Sequence, residues 1–104
     1  MEVLLIHKPI GMLPPESWAA LTEIGKKLDT NPGELVPGGK LIAAYAARAL
    51  SMIICLWEVP SVDALMPTLE QMNMLGVDTD IIPVEKMEVS ISKFEHALKA
   101  MQAK

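Results

Sequence analysis

Apolar side chains are densest over residues 51–61. Met52, Ile54 and Leu56 take one alternating set of positions and Ile53, Cys55, Trp57 and Val59 the other, until Glu58 and Pro60 close the run. A strand that is apolar on both sides is one covered on both sides. Residues 2–7 repeat the pattern, with Val3, Leu5 and His7 on one face and Leu4 and Ile6 on the other. A chain of 104 residues seldom carries enough helix to cover both faces of its own sheet. The second cover is therefore expected from another copy, and the chain is expected to be a homodimer.

Between and beyond these strands the period changes. Pro14 and Pro15 precede Trp18, Leu21, Ile24 and Leu28 at three- and four-residue spacing, which predicts a helix over 15–28 with that face buried. Residues 29–39 (DTNPGELVPGG) are rich in turn formers and too long for a tight hairpin, so they read as a loop. Residues 40–47 (KLIAAYAA) suit a helix or a strand by periodicity. The short length, the preceding Gly38-Gly39 and the turn at 48–51 favour a strand. Ser61 is the expected N-cap of a second helix, with Val62, Leu65, Leu69, Met72 and Leu75 as its stripe, Gly76 as its stop, and Pro67 kinking or detaching its first turn. A fourth strand is expected over 80–89, bulged near Glu85 where the apolar phase switches. A last helix is expected from Ser92, with Glu95 completing a capping box and Phe94, Leu98 and Met101 as its apolar face.

Composition narrows the class. Residues 1–104 form a single domain, with 51% hydrophobic against 21% charged residues, which excludes a disordered chain. The net charge is −4 and the nine basic residues form no stripe, so nucleic acid is not an expected partner. The one cysteine, Cys55, offers neither a disulfide nor a cysteine metal cluster, which suits a reducing, cytoplasmic setting. The N-terminal apolar run is too short, and follows an acid, for an export signal. Residues 41–59 approach the length of a membrane span, but Arg48 would lie near its middle, and the segment reads better as two strands joined by a turn.

The order strand, helix, strand, strand, helix, strand, helix is the ferredoxin-like β-α-β-β-α-β sandwich with an extra C-terminal helix. On this reading the first and third strands are parallel neighbours at the sheet centre. Ile6-His7 ending the first strand, Leu56-Trp57-Glu58 ending the third, Asp63-Ala64-Leu65 opening the second helix and Ile81-Ile82-Pro83-Val84 in the last strand resemble the dimeric α+β barrel superfamily. The likeness is strongest to a family of small prokaryotic proteins of unknown function. The resemblance implies two sheets paired face to face, and the C-terminal helix is expected to embrace the partner. The superfamily includes cofactor-free monooxygenases, isomerases and haem-degrading enzymes, so the fold alone does not choose a function.

The candidate chemistry follows from these placements. His7 and Glu58, at the ends of parallel strands, would share one end of the sheet as a base and its partner, with Tyr45 beside them. Trp57, Arg48 and Trp18 are the candidate ligand-binding residues, walls and anchor for a small apolar or aromatic molecule in the space left by the alanines at 43, 44, 46 and 47. Cys55 has no basic neighbour in sequence and reads as core, and His96 reads as a solvated helix residue. No metal set, phosphate loop or cofactor motif stands out, and no cofactor is expected. The expected function is small-molecule binding between sheet and helices by a homodimer. A cofactor-free monooxygenase or isomerase and a structural or regulatory assembly module are the alternatives.

Overall fold

The computed structural model describes residues 1–103. Four strands form one sheet in the order β2-β3-β1-β4, where β1 is Glu2–Pro9, β2 Lys40–Ala47, β3 Met52–Glu58 and β4 Val77–Val84. Among the described residues three α-helices accompany them, α1 (Pro15–Thr30), α2 (Met66–Met74) and α3 (Met87–Gln102). The fold is thus mixed α+β, with the element order expected for a ferredoxin-like chain.

Every neighbouring pair of strands is antiparallel, including β1 with β3, so the expected parallel centre is wrong. Periodicity reports which face a side chain takes, not the direction of its strand. In the observed register Val3 lies opposite Trp57, Leu5 opposite Cys55 and His7 opposite Ile53. These odd positions, with Thr79 and Ile81 of β4, look towards α1 and α2. Val3, Leu5, Cys55, Trp57, Val36, Val59, Leu65 and Leu69 are buried there as the main core. A smaller cluster of Leu13, Met72 and Val77, packed against Leu21 and Ile24, joins α1, α2 and β4.

The even positions, among them Leu4, Ile6, Ile54 and Leu56, face away from α1 and α2 and are only half-buried. Tyr45 and Ile82 on the same side are exposed. Both central strands are therefore apolar on two faces, as their sequence pattern requires, while this chain covers one.

Several local expectations change. Residues 41–59 fold as β2, a 3₁₀ turn at Arg48–Leu50 and β3, with Ser51 in the left-handed region at φ 52°. A 3₁₀ turn at Pro32–Glu34 sits inside the 29–39 loop. Pro67 lies in the first turn of α2, where its missing amide hydrogen costs nothing, and the preceding 3₁₀ turn Val62–Leu65 is the detached first turn that proline imposes. Ser61 makes no side-chain capping bond. β4 starts at Val77, directly after Gly76 (φ 94°), and ends at Val84, so the change of phase near Glu85 is the end of a strand and not a bulge. α3 starts at Met87 instead of Ser92. Ser92 is inside the helix and the capping box does not exist.

Candidate functional site

α1 does not lie flat on the sheet. Its stripe of Leu21, Ile24 and Leu28 is half-buried, and Trp18, expected inside, is 53% exposed. The gap beneath is an apolar cavity of about 390 Å³. Leu5, His7, Cys55 and Trp57 form its floor. Trp18, Leu21, Ile24 and Leu28 of α1 line one wall, and Leu65, Thr68, Leu69 and Met72 the other. Arg48 and Trp18, both exposed, stand at its rim. Apolar cavities of roughly 150 Å³ already accept benzene, so this one has room for a larger molecule. A space of that size is occupied by ligand or by solvent.

The cavity is poor in polar groups, which makes the few present informative. His7 is 7% exposed, and its Nδ1 shares a 2.7 Å hydrogen bond with Thr79 Oγ1, the residue opposite it in β4. Nε2 makes no bond to another described residue. Among the described residues no buried side-chain nitrogen or oxygen is left without a partner, so Nε2 opens onto the cavity. Burial pushes the His7 pKa down from 6.5 to about 4, because the apolar surroundings disfavour the imidazolium. The ring is neutral at pH 7 and presents one nitrogen to whatever fills the space. The Thr68 hydroxyl is already committed as a donor to the Leu35 carbonyl. Arg48 forms no ion pair among the described residues and is available at the rim.

Of the six residues picked out in the sequence, His7, Trp57, Arg48 and Trp18 line this one cavity. Glu58 and Tyr45 do not. The antiparallel register places Glu58 opposite Glu2, five positions along β1 from His7 and on the other face, so the two are roughly 17 Å apart along the sheet. The proposed His7–Glu58 pair is not formed. Tyr45, opposite Ile54, points to the open face and is 69% exposed. Burial raises the Cys55 thiol to about 11, so it stays protonated and acts as part of the apolar floor.

Thr79 and Leu13 were missed. Thr79 fell outside the expected strand because the run at Asp80–Val84 looked like its start. The earlier signal was Gly76 followed at once by Val77, a helix stop that releases the chain directly into a strand. Among the described residues no group of three or more metal-ligating side chains converges, and no helix is long and apolar enough to cross a membrane. Comparison of the chain with protein-family models, curated proteins and solved structures returns no match, so function has to be argued from the cavity itself.

Proposed function

We propose that this chain is a small homodimeric domain that binds a small apolar or aromatic molecule between its sheet and helices. The observation that carries the reading is an apolar cavity of about 390 Å³ with one neutral imidazole nitrogen on its floor and a free guanidinium at its rim. Ligand sites commonly have this form, apolar walls with a few polar groups that fix orientation. An aromatic body lies between Trp18 and Trp57, and an oxygen substituent accepts from or donates to His7 Nε2. The homodimer is proposed from the second apolar face of β1 and β3, which pairs with the same face of another copy as in a dimeric α+β barrel. A reducing, cytoplasmic setting for the free Cys55 thiol belongs to the same proposal.

The cofactor-free monooxygenase or isomerase is the second reading, supported by the same desolvated His7 acting as a proton acceptor next to a bound substrate. A pKa of about 4 makes it a weak base, and neither Glu58 nor Tyr45 reaches it, so binding is placed ahead of catalysis.

Titration of the purified protein with a panel of aromatic acids, naphthols and small quinones, followed by tryptophan emission and by melting temperature, tests the proposal. A ligand at a hundred times its Kd stabilises by about 2.7 kcal/mol, on the order of 10 °C for a domain of this size. Ala46→Phe, which fills the cavity from β2, abolishes the shift while the fold persists. Absence of saturable binding by a folded wild-type chain, or unchanged binding in Ala46→Phe, overturns the reading.

A further inference from the structure

We propose that Thr79 is a positioning residue that lets the His7 ring face the cavity either as hydrogen-bond donor or as acceptor, so that the site takes two-ring aromatic molecules bearing a hydroxyl or a carbonyl at that point. The inference rests on the binding reading given above and adds the class of ligand and the residue that decides it. The chain has four threonines, and three of their hydroxyls are committed. Thr22 donates to the Trp18 carbonyl at 2.8 Å, Thr30 to the Lys26 carbonyl at 2.7 Å, and Thr68 to the Leu35 carbonyl. A carbonyl only accepts, so each of those protons has a fixed direction. Thr79 differs, because its hydroxyl meets His7 Nδ1 at 2.7 Å and makes no other hydrogen bond with a described residue.

A hydroxyl can donate or accept, and Nδ1 of a neutral imidazole is a donor in one tautomer and an acceptor in the other. This bond is therefore satisfied in two ways. With Nδ1–H donating to Oγ1, Nε2 offers the cavity a lone pair. With Oγ1–H donating to Nδ1, Nε2 offers a proton. A carboxylate behind the ring would hold Nδ1 as a donor and leave Nε2 an acceptor only. No carboxylate lines the cavity among the described residues. Burial holds the ring neutral at pH 7, so neither arrangement places a charge in the apolar space.

Thr79 is half-buried, lies directly opposite His7 in β4, and does not itself line the cavity. It reaches a ligand only through the ring. The volume of about 390 Å³, against roughly 150 Å³ for a cavity that holds benzene, leaves room for two fused rings. Both tryptophans of the chain stand among the walls. A naphthol hydroxyl donates to the bare Nε2, and a naphthyl ketone accepts from Nε2–H.

The test compares naphthol with acetylnaphthalene, substituted at the same carbon. Their Kd values are measured by tryptophan emission for wild type, Thr79→Ser and Thr79→Val, and proton–nitrogen correlation spectra report which nitrogen of His7 carries the proton. Wild type and Thr79→Ser should bind both within about threefold of each other, with the proton on Nδ1 under naphthol and on Nε2 under the ketone. Valine suits a strand and nearly keeps the shape of threonine, so the fold of Thr79→Val persists. Its methyl group faces Nδ1, where an orphaned N–H is less tolerable than an orphaned lone pair, and the ring is held with its proton on Nε2. Thr79→Val should therefore keep its affinity for the ketone and lose about tenfold for naphthol, the worth of one buried hydrogen bond. Equal loss for both ligands in Thr79→Val, or the same His7 tautomer under both ligands in wild type, overturns the role of Thr79 and leaves the binding reading standing. A folded wild type that binds neither compound overturns both.

Discussion

α1 and α3 are both sixteen residues long and both amphipathic, yet one roofs a cavity and the other buries no residue against its own chain. The difference lies in how each is joined to its strand. α1 follows β1 through Ile10–Pro14, where Gly11 takes φ 69° and the Ile10 amide bonds the Gly76 carbonyl at 2.7 Å, so the chain reverses over the sheet. α3 follows β4 after two residues and continues away from it. A stripe of apolar residues therefore specifies that a helix needs a partner, and the connection decides whether that partner lies within the chain.

Five changes break or sharpen the contrast. Leu28 of α1 packs against the main core, so Leu28→Asp should lower the unfolding free energy by about 3 kcal/mol in urea titrations. Leu98→Asp in dilute, dissociated chain should cost less than about 0.5 kcal/mol. Equal losses would mean that α3 packs on its own body.

The next largest effect is on pH dependence beneath α1. With the folded His7 at about 4 against 6.5 when exposed, the unfolded chain binds a proton between those values that the folded chain does not. The contribution is fully present above pH 6.5 and is lost as the pH falls towards 4, by about 2–3 kcal/mol. His7→Gln should flatten that slope in melts recorded from pH 7 to 4. A slope retained by the variant would show that His7 is not enclosed under α1.

Gly76 ties the start of β4 to the loop before α1. Its φ of 94° disfavours any other residue, and a Cβ there would meet Leu13 Cδ2 at 2.5 Å. Gly76→Ala should therefore cost about 1–2 kcal/mol, read by thermal denaturation, and should loosen α1 more than α3 in amide exchange. The smallest expected effect is at the rim. Arg48→Met should weaken binding of a naphthoate about tenfold and leave binding of the corresponding naphthol unchanged. Equal loss for both ligands would assign Arg48 to the cavity's shape and not to its charge.

The sequence was most legible where one period ran without interruption. β3 followed from its two-sided apolar pattern, whereas β2, ambiguous by period, followed from its short length, Gly38-Gly39 before it and the turn Arg48-Ala-Leu-Ser51 after it. Pro67 correctly marked a detached first turn, because the missing amide hydrogen acts locally. What failed depended on direction or on a change of period. The antiparallel pairing of β1 with β3, which separates His7 from Glu58, leaves no trace in alternation. The start of α3 was displaced by five residues because Met87, Val89 and Ile91 alternate like a strand before the helical spacing of Ile91, Phe94 and Leu98 becomes evident. The cavity itself was only half visible. His7 and Trp57 could be placed on one face by parity, but the lift of α1 above that face arises from packing that no single segment encodes.

The order β2-β3-β1-β4 also bears on how the protein is made. β1, central in the finished sheet, is synthesised first, and its two neighbours are residues 52–58 and 77–84. At a ribosomal rate of about 5–20 residues per second, a two-sided apolar strand waits several seconds for its last partner. Such a segment is an exposed template for pairing with other nascent chains. Lys8 next to Pro9 at its far end, a charge followed by a residue without an amide hydrogen, is the kind of flank that discourages that pairing until β4 arrives and Asp80 meets Lys8 at 3.4 Å.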